Sequence, residues 1–197
     1  MKNIKWRTTL LTLTAALALS ACSGDSTEPK EEDKTQEESP KSDSHATMDH
    51  SNMDHSSSGE VPETLKDAEN PTYPVGRKAL ITDSHMDGME GAVATIVGAY
   101  DTTAYIISYN PTTGGTRVEQ HKWVIHEELI DAGTAPLAVG TEVRTDATHM
   151  EGMANAVVII EEAIPTTVYM IDYSSTTDEQ AVKNHKWVTE SELSPTE

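Results

Sequence analysis

The 197-residue chain has one cysteine, no phenylalanine and only 14 lysines and arginines against 33 aspartates and glutamates. A single cysteine allows neither an internal disulfide nor a cluster of thiolate ligands, which excludes cysteine-rich zinc and iron–sulfur sites. The formal net charge of −19 excludes nucleic acid as a partner, because its phosphates would be repelled. No glycine-rich phosphate loop, Gly-x-Ser-x-Gly motif or His-Glu-x-x-His motif is present, so we expect no enzymatic activity.

The chain has a single long apolar run, and it stands near the start. Lys2, Lys5 and Arg7 precede an uncharged stretch over residues 8–19, which is too short to cross a bilayer but suits a secretory signal. The next residues, Leu-Ser-Ala-Cys22, resemble the bacterial lipobox, in which the cysteine is lipidated after the signal is removed. We predict a signal peptide over residues 1–21, lipidation of Cys22, and a location on the outer face of the cell membrane.

Residues 22–70 are predicted to form a disordered tether, because Ser, Thr, Glu, Asp, Lys and Pro leave little apolar surface to offset the entropy of ordering. A cluster of three histidines and two methionines lies within it: His45, Met48, His50, Met53 and His55. Imidazole nitrogen and thioether sulfur together favour copper, and Cu(I) most strongly. The cluster is predicted to bind copper. The alternative is compositional drift in a linker.

The rest of the chain is an internal duplication. Residues 85–129 align with residues 149–193 at a constant offset without a gap, and about half of the pairs are identical, which indicates a repeated structural unit. In the first copy, β-branched and aromatic runs predict strands over 77–82, 92–97, 104–109 and 117–124, and a helical turn follows at 126–129. The predicted fold is all-β, with two tandem small SH3-like antiparallel barrels over residues 71–133 and 134–197.

A His-Met-x-Gly-Met motif opens each copy, and a His-Lys-Trp-Val motif lies near its end. The first motif supplies candidate metal ligands, namely His85, Met86, Met89, His149, Met150 and Met153. The alternative for the methionines is to fill irregular gaps in a core. His121 and His185, from the second motif, are further candidates, each expected near the first motif of its own copy. A packed or surface histidine is the alternative for both, and Trp123 and Trp187 beside them are predicted core residues.

These motifs carry a family resemblance. The doubled unit with His-Met-x-Gly-Met, Thr-Thr-x-Tyr, Pro-Thr-Thr-Gly-Gly and His-Lys-Trp-Val resembles the YdhK-like lipoproteins of Gram-positive bacteria over residues 72–194. Some members of that family, the CopL-type lipoproteins, accompany copper-export genes. Residues 48–55 also resemble the Met-Asp-His-Ser-x-Met segments of periplasmic copper-resistance proteins. The resemblance implies an extracellular, membrane-anchored protein that binds copper and protects the cell from it.

Two functions without copper stay open as alternatives. A lipid-anchored module could bind cell-wall peptide or glycan through Tyr105, Tyr109, Trp123 and their counterparts in the second copy, or it could be the structural partner of a membrane transporter. For a copper-binding protein, two fates of the metal are open: sequestration, or delivery to a copper exporter or a copper oxidase.

Overall fold

Nine β-strands join in one antiparallel sheet in the computed structural model, which describes residues 56–196. The strands are β1 (Lys66–Asp67), β2 (Lys78–Ile81), β3 (Val93–Tyr109), β4 (Val118–Ile125), β5 (Leu129–Ile130), β6 (Glu142–Thr145), β7 (Val157–Ser174), β8 (Ala181–Thr189) and β9 (Leu193–Pro195). Two 3₁₀ turns, His126–Glu128 and Glu190–Glu192, follow β4 and β8. Within residues 56–196, no helix is long and apolar enough to cross a membrane. The all-β prediction is confirmed.

The two longest strands pair with each other in the middle of the sheet. β3 has 17 residues and β7 has 18, and they pair from Thr95 opposite Asp172 to Tyr109 opposite Val158. The strands expected over 92–97 and 104–109 are the two halves of β3, because residues 98–103 stay extended and pair with residues 165–170 of β7. Each long strand therefore leaves one hydrophobic core and enters another.

Each end of the β3–β7 ribbon carries a core that draws on both sequence copies. Core A takes Tyr73, Ala79, Ile81, Met89, Ala92, Ala94, Ile96 and Ala99 from the first half of the chain and Tyr169, Ile171, Tyr173, Val182, Val188 and Leu193 from the second. Core B takes Tyr105, Ile107, Tyr109, Val124 and Leu129 together with Ala147, Met153, Ala156, Val158 and Ile160. A smaller junction core comprises Ala104, Trp123, Ile125, Val168, Met170 and Trp187. The two copies therefore exchange halves between core A and core B.

The first strand lies before residue 71, within the segment that was expected to be a disordered tether. β1 pairs with Asp101 and Tyr100 of β3, and the side chains of Val61 and Leu65 pack against the junction core. These two apolar side chains give residues 56–70 the buried surface that ordering requires. The predicted signal peptide, Cys22 and the Met/His cluster at residues 45–55 lie outside the described residues.

The exchange of halves predicts that one copy cannot complete a core alone. A fragment of residues 71–133 lacks β7, β8 and β9, which supply six of the fourteen buried residues of core A. Since β7 is the repeat equivalent of β3, we expect this fragment to form a two-fold dimer in which β3 pairs with β3 of the partner. Light scattering would measure its mass and circular dichroism its strand content, with residues 56–197 as the control. A folded monomer of residues 71–133 would contradict the exchange.

Candidate metal centre

Two related clusters of histidine, glutamate and tyrosine lie where the copies meet. Site A is defined as His85, Tyr173, His185 and Glu192, and site B as Tyr109, His121, Glu128 and His149. The imidazole centroids of His85 and His185 are 5.6 Å apart, and the rings are inclined by 28°. Those of His149 and His121 are 6.2 Å apart with an inclination of 40°. Each pair joins one histidine from each copy, whereas the sequence had suggested a pairing within one copy.

The glycine of each His-Met-x-Gly-Met motif holds the motif loop against a hairpin from the other copy. The Thr176 N–H donates to the Gly88 carbonyl at 2.9 Å, and the Thr112 N–H donates to the Gly152 carbonyl at the same distance. Gly88 has φ +80°, and a Cβ there would collide with the Ser175 hydroxyl. Only glycine combines this left-handed backbone with so close an approach. The exchanged hairpin therefore fixes the loop that carries His85.

A buried glutamate holds one histidine in each site. Glu192 Oε1 lies 3.0 Å from His85 Nδ1, and Glu128 Oε1 lies 2.8 Å from His149 Nε2. The two glutamates are only 2% and 5% exposed. The two glutamates occupy equivalent positions, since Glu-Leu closes each copy. The sequence analysis did not include them among the site residues. Their recurrence at equivalent positions was the available signal.

Hydrogen bonds compensate the burial of these carboxylates. Burial would raise the pKa of Glu128, but the His149 imidazole and the N–H groups of Ile125 and Trp187 outweigh it and hold that pKa below its usual range. Burial likewise opposes ionisation of Glu192, whose pKa is lowered by His85 and by the N–H and hydroxyl of Thr189. Hydrogen bonds and charges that favour the ionised form produce such shifts.

A tryptophan of the junction core completes the support of each glutamate. Trp123 Nε1 donates to Glu192 Oε2 at 2.8 Å, and Trp187 Nε1 donates to Glu128 Oε2 at 3.1 Å. Both tryptophans are buried, as the sequence predicted. β4 therefore carries a histidine of site B and an indole that supports site A, and β8 carries the reverse pair. The two sites are joined through the junction core.

The methionines of the motifs divide into two kinds. Met89 and Met153 have no exposed surface and belong to core A and core B. Met86 and Met150 are half-buried and pack against the same two cores. Packing is therefore an established role of all four side chains, whether or not their sulfur atoms also bind metal.

In each site, a tyrosine ring packs against one of the two histidines. The ring of Tyr173 meets His185 edge-on at 5.9 Å, and that of Tyr109 meets His121 in the same way at 6.3 Å. Burial raises the pKa of both phenols to about 12. Both tyrosines are therefore neutral at physiological pH and add no charge to the sites.

The geometry leaves one imidazole nitrogen of site B for a further ligand. His149 uses Nε2 on Glu128, and its Nδ1 is buried without a hydrogen-bond partner among residues 56–196. Bonds from a metal ion to imidazole nitrogen are about 2 Å long, and centroid separations of 5.6 Å and 6.2 Å bring each pair of rings within reach of one shared ion. No three His, Cys, Asp or Glu side chains among the described residues converge on one point as a metal site. Because each glutamate contacts a ring nitrogen of one histidine, it suits the role of orienting that imidazole.

The lowered pKa of Glu128 and Glu192 predicts acid sensitivity. An unfolded glutamate titrates near pH 4.3, so the stabilisation is complete above that pH and is lost as pH falls through the lower folded-state pKa. We expect Glu128→Gln with Glu192→Gln to flatten the decline of melting temperature between about pH 5 and pH 3. The control is Glu151→Gln with Glu161→Gln, which removes the same charge from exposed positions. An equal pH dependence in both double variants would contradict the assignment.

Comparison with known proteins identifies the family. The family described as "Protein of unknown function (DUF1541)" matches residues 75–126 and 139–190, which include all four histidines of the two sites. The chain belongs to the DUF1541 family. Each match ends two residues before the glutamate of the corresponding copy.

Relatives of this DUF1541 chain come from Bacillus subtilis. "Uncharacterized protein YdhK" of strain 168 is 50% identical over 195 residues, which cover 98% of this chain and 91% of that protein. A crystal structure of ydhK is 57% identical with a TM-score of 0.71 and covers 75% of this chain and 100% of that one. A second crystal structure of ydhK is 59% identical with a TM-score of 0.59, covering 60% and 97%. The YdhK-like resemblance is confirmed.

Proposed function

We propose that this protein is a lipoprotein of the outer face of the cell membrane that binds copper, chiefly Cu(I), and protects the cell by sequestering it. The observation that carries the proposal is the pairing of two imidazoles from different copies in each site, with one imidazole held by a buried carboxylate. Histidines that bind metals typically donate their other ring N–H to a carboxylate or carbonyl, which fixes the ring and raises its basicity. Sites A and B both have this arrangement.

The donor set favours copper over zinc. Imidazole serves both metals, but the chain supplies thioethers in place of thiolates, and thioethers select Cu(I). Met86 and Met150 directly follow the histidines that the glutamates hold, and the candidate cluster of residues 45–55 adds two methionines and three histidines. Copper is therefore the ligand that accounts for the largest number of these side chains.

Burial argues against the aromatic platform that recognition of cell-wall peptide or glycan would need. Tyr105, Tyr109 and Trp123 are at most 4% exposed, and their counterparts in the second copy are at most 5% exposed. Rings that stack on a ligand must be reachable from solvent, and these rings are covered by the protein itself.

Loss of one histidine pair should remove one copper. The starting chain carries His45→Gln, Met48→Leu, His50→Gln, Met53→Leu and His55→Gln, so that only sites A and B remain. We expect it to bind two Cu(I) under anaerobic conditions, measured by competition with a chromophoric chelator. Adding His149→Gln should reduce the stoichiometry to one. Copper at about 100 times its dissociation constant should add about 2.7 kcal/mol of stability for each occupied site of the starting chain, visible as a higher melting temperature.

His126→Gln is the matched control for that experiment. His126 lies on the same core as site B, but its imidazole contacts the Tyr105 hydroxyl at 3.0 Å and the Gly133 carbonyl at 3.1 Å. Its replacement should leave the copper stoichiometry unchanged. Equal binding by the His149→Gln and starting chains, or a zinc affinity equal to that for Cu(I), would refute the proposal for the folded sites.

The anchor is tested separately. If lipid on Cys22 attaches the protein, Cys22→Ser should release it from the membrane or stop signal cleavage, because two acyl chains are what stable anchoring requires. Fractionation of cells with detection of the processed form would measure this, and the copper stoichiometry of the released protein should equal that of the parent. A processed Cys22→Ser protein that stays with the membrane would disprove the anchor.

A further inference from the structure

Hydrogen bonds in the junction core join two strand–turn units. The first unit is β4 with the 3₁₀ turn that follows it, and the second is β8 with its own 3₁₀ turn. Trp123 of the first unit donates its indole N–H to Glu192 of the second at 2.8 Å. Trp187 of the second unit donates to Glu128 of the first at 3.1 Å. We call these two reciprocal bonds, whose indoles are at most 4% exposed, the indole–glutamate clasp.

Each glutamate of the clasp is also bonded within its own unit. Glu128 Oε2 accepts the Ile125 N–H at 3.1 Å, and Glu192 Oε2 accepts the Thr189 N–H at 2.8 Å. The Oε1 atoms of the same glutamates hold the motif histidines of sites B and A. A buried carboxylate that lost one of these partners would no longer recover the hydration that it gave up on folding. The clasp therefore fixes the position of one unit relative to the other.

Each unit serves both sites. β4 carries His121 of site B and, two residues later, the indole that supports the glutamate of site A. β8 carries His185 of site A and, two residues later, the indole that supports the glutamate of site B. From either histidine pair, a path through the glutamate and the indole reaches the strand of the other pair. The two paths together form a closed circuit through both sites.

An ion at one site would restrain the unit that supports the other site. Copper held by His85 and His185 would fix β8 at His185, and would thereby place the Trp187 indole for its bond to Glu128. Glu128 in turn orients His149. When a first ligand orders groups that a second ligand also requires, the second loses less conformational entropy on binding and binds more tightly. The equivalent path leads from site B to site A.

We propose that Trp123 and Trp187 are positioning residues that couple the two sites, so that copper bound at one site raises the affinity of the other. This rests on the copper function proposed above. Each indole acts through a glutamate and the histidine that the glutamate holds. A chain with this coupling fills both sites over a narrow range of copper concentration, which suits a protein that sequesters the metal.

The coupling is measured in the starting chain of the stoichiometry experiment, in which sites A and B remain. Adding His149→Gln leaves site A alone, and adding His85→Gln leaves site B alone, while glutamine keeps an N–H donor for the glutamate in both. Chelator competition under anaerobic conditions gives the Cu(I) binding constants. We expect the product of the two stepwise constants of the starting chain to exceed the product of the two isolated constants by about fivefold or more. Equal products would overturn the proposal.

Loss of the clasp should remove this factor. Trp123→Phe with Trp187→Phe deletes both indole N–H donors and keeps an aromatic ring at each position, so the two products measured in this background should become equal. The matched control is Val168→Ala with Met170→Leu, which changes the same core without removing a hydrogen-bond donor and should keep the factor. If the double Phe variant does not fold, Trp123→Phe alone breaks one of the two bonds and should lower the factor. A factor that survives loss of the indoles, or that the control loses equally, would overturn the positioning role.

A measurement without copper separates the coupling from the copper function. Urea unfolding compares the starting chain with its Glu128→Gln, Glu192→Gln and doubly changed variants. Because the two carboxylates belong to one hydrogen-bond network, we expect the combined change in the unfolding equilibrium constant to differ from the product of the single changes by about threefold or more. A simple product would overturn the clasp as a coupling element.

The two experiments fail in different ways. If the starting chain binds two Cu(I) and the products of binding constants are equal, the copper function stands and the coupling falls. If the starting chain binds no copper while the two glutamate changes still fail to multiply, the copper function falls and the clasp still couples the two clusters.

Discussion

The antiparallel pairing of β3 with β7 along most of their length is the constraint on which the rest of the structure depends. Both strands run from one core to the other without a turn. As a result, each core receives half of each copy. Duplication makes this exchange possible, because equivalent halves carry the same apolar pattern and can replace one another.

The exchange also creates the two histidine sites. His85 and His185 belong to different copies, as do His121 and His149, and each pair meets only because the halves are interleaved. Each site is held from two sides: a loop from one copy is fastened by a hairpin of the other, and the indole of Trp123 or Trp187 reaches the glutamate from the junction core. A change at the junction core is therefore felt at both sites.

Buried carboxylates are costly, and their supports show how that cost is offset. An isolated buried charge loses several kcal/mol of hydration, which only a complete set of partners recovers. Glu192 has the His85 imidazole, the Trp123 indole and both the N–H and the hydroxyl of Thr189. Glu128 has the equivalent imidazole, indole and backbone N–H. Such a network specifies one arrangement of the histidine it holds, which is what a binding site requires.

Local features were fixed by the sequence itself: the strand class, the turns after β4 and β8, the doubled unit and the histidines at equivalent positions all follow from residue periodicity and self-similarity. The tertiary structure decided that each histidine pairs with a histidine of the other copy. It also decided that Glu128 and Glu192 each hold a histidine, and that residues 56–70 pack against the fold. Residues 92–97 and 104–109 looked like two strands because the residues between them have no strong strand pattern, and only pairing with β7 keeps them extended. Alternation of side chains is a local property, whereas the choice of pairing partner depends on contacts between residues far apart in the chain, which no short window of sequence contains.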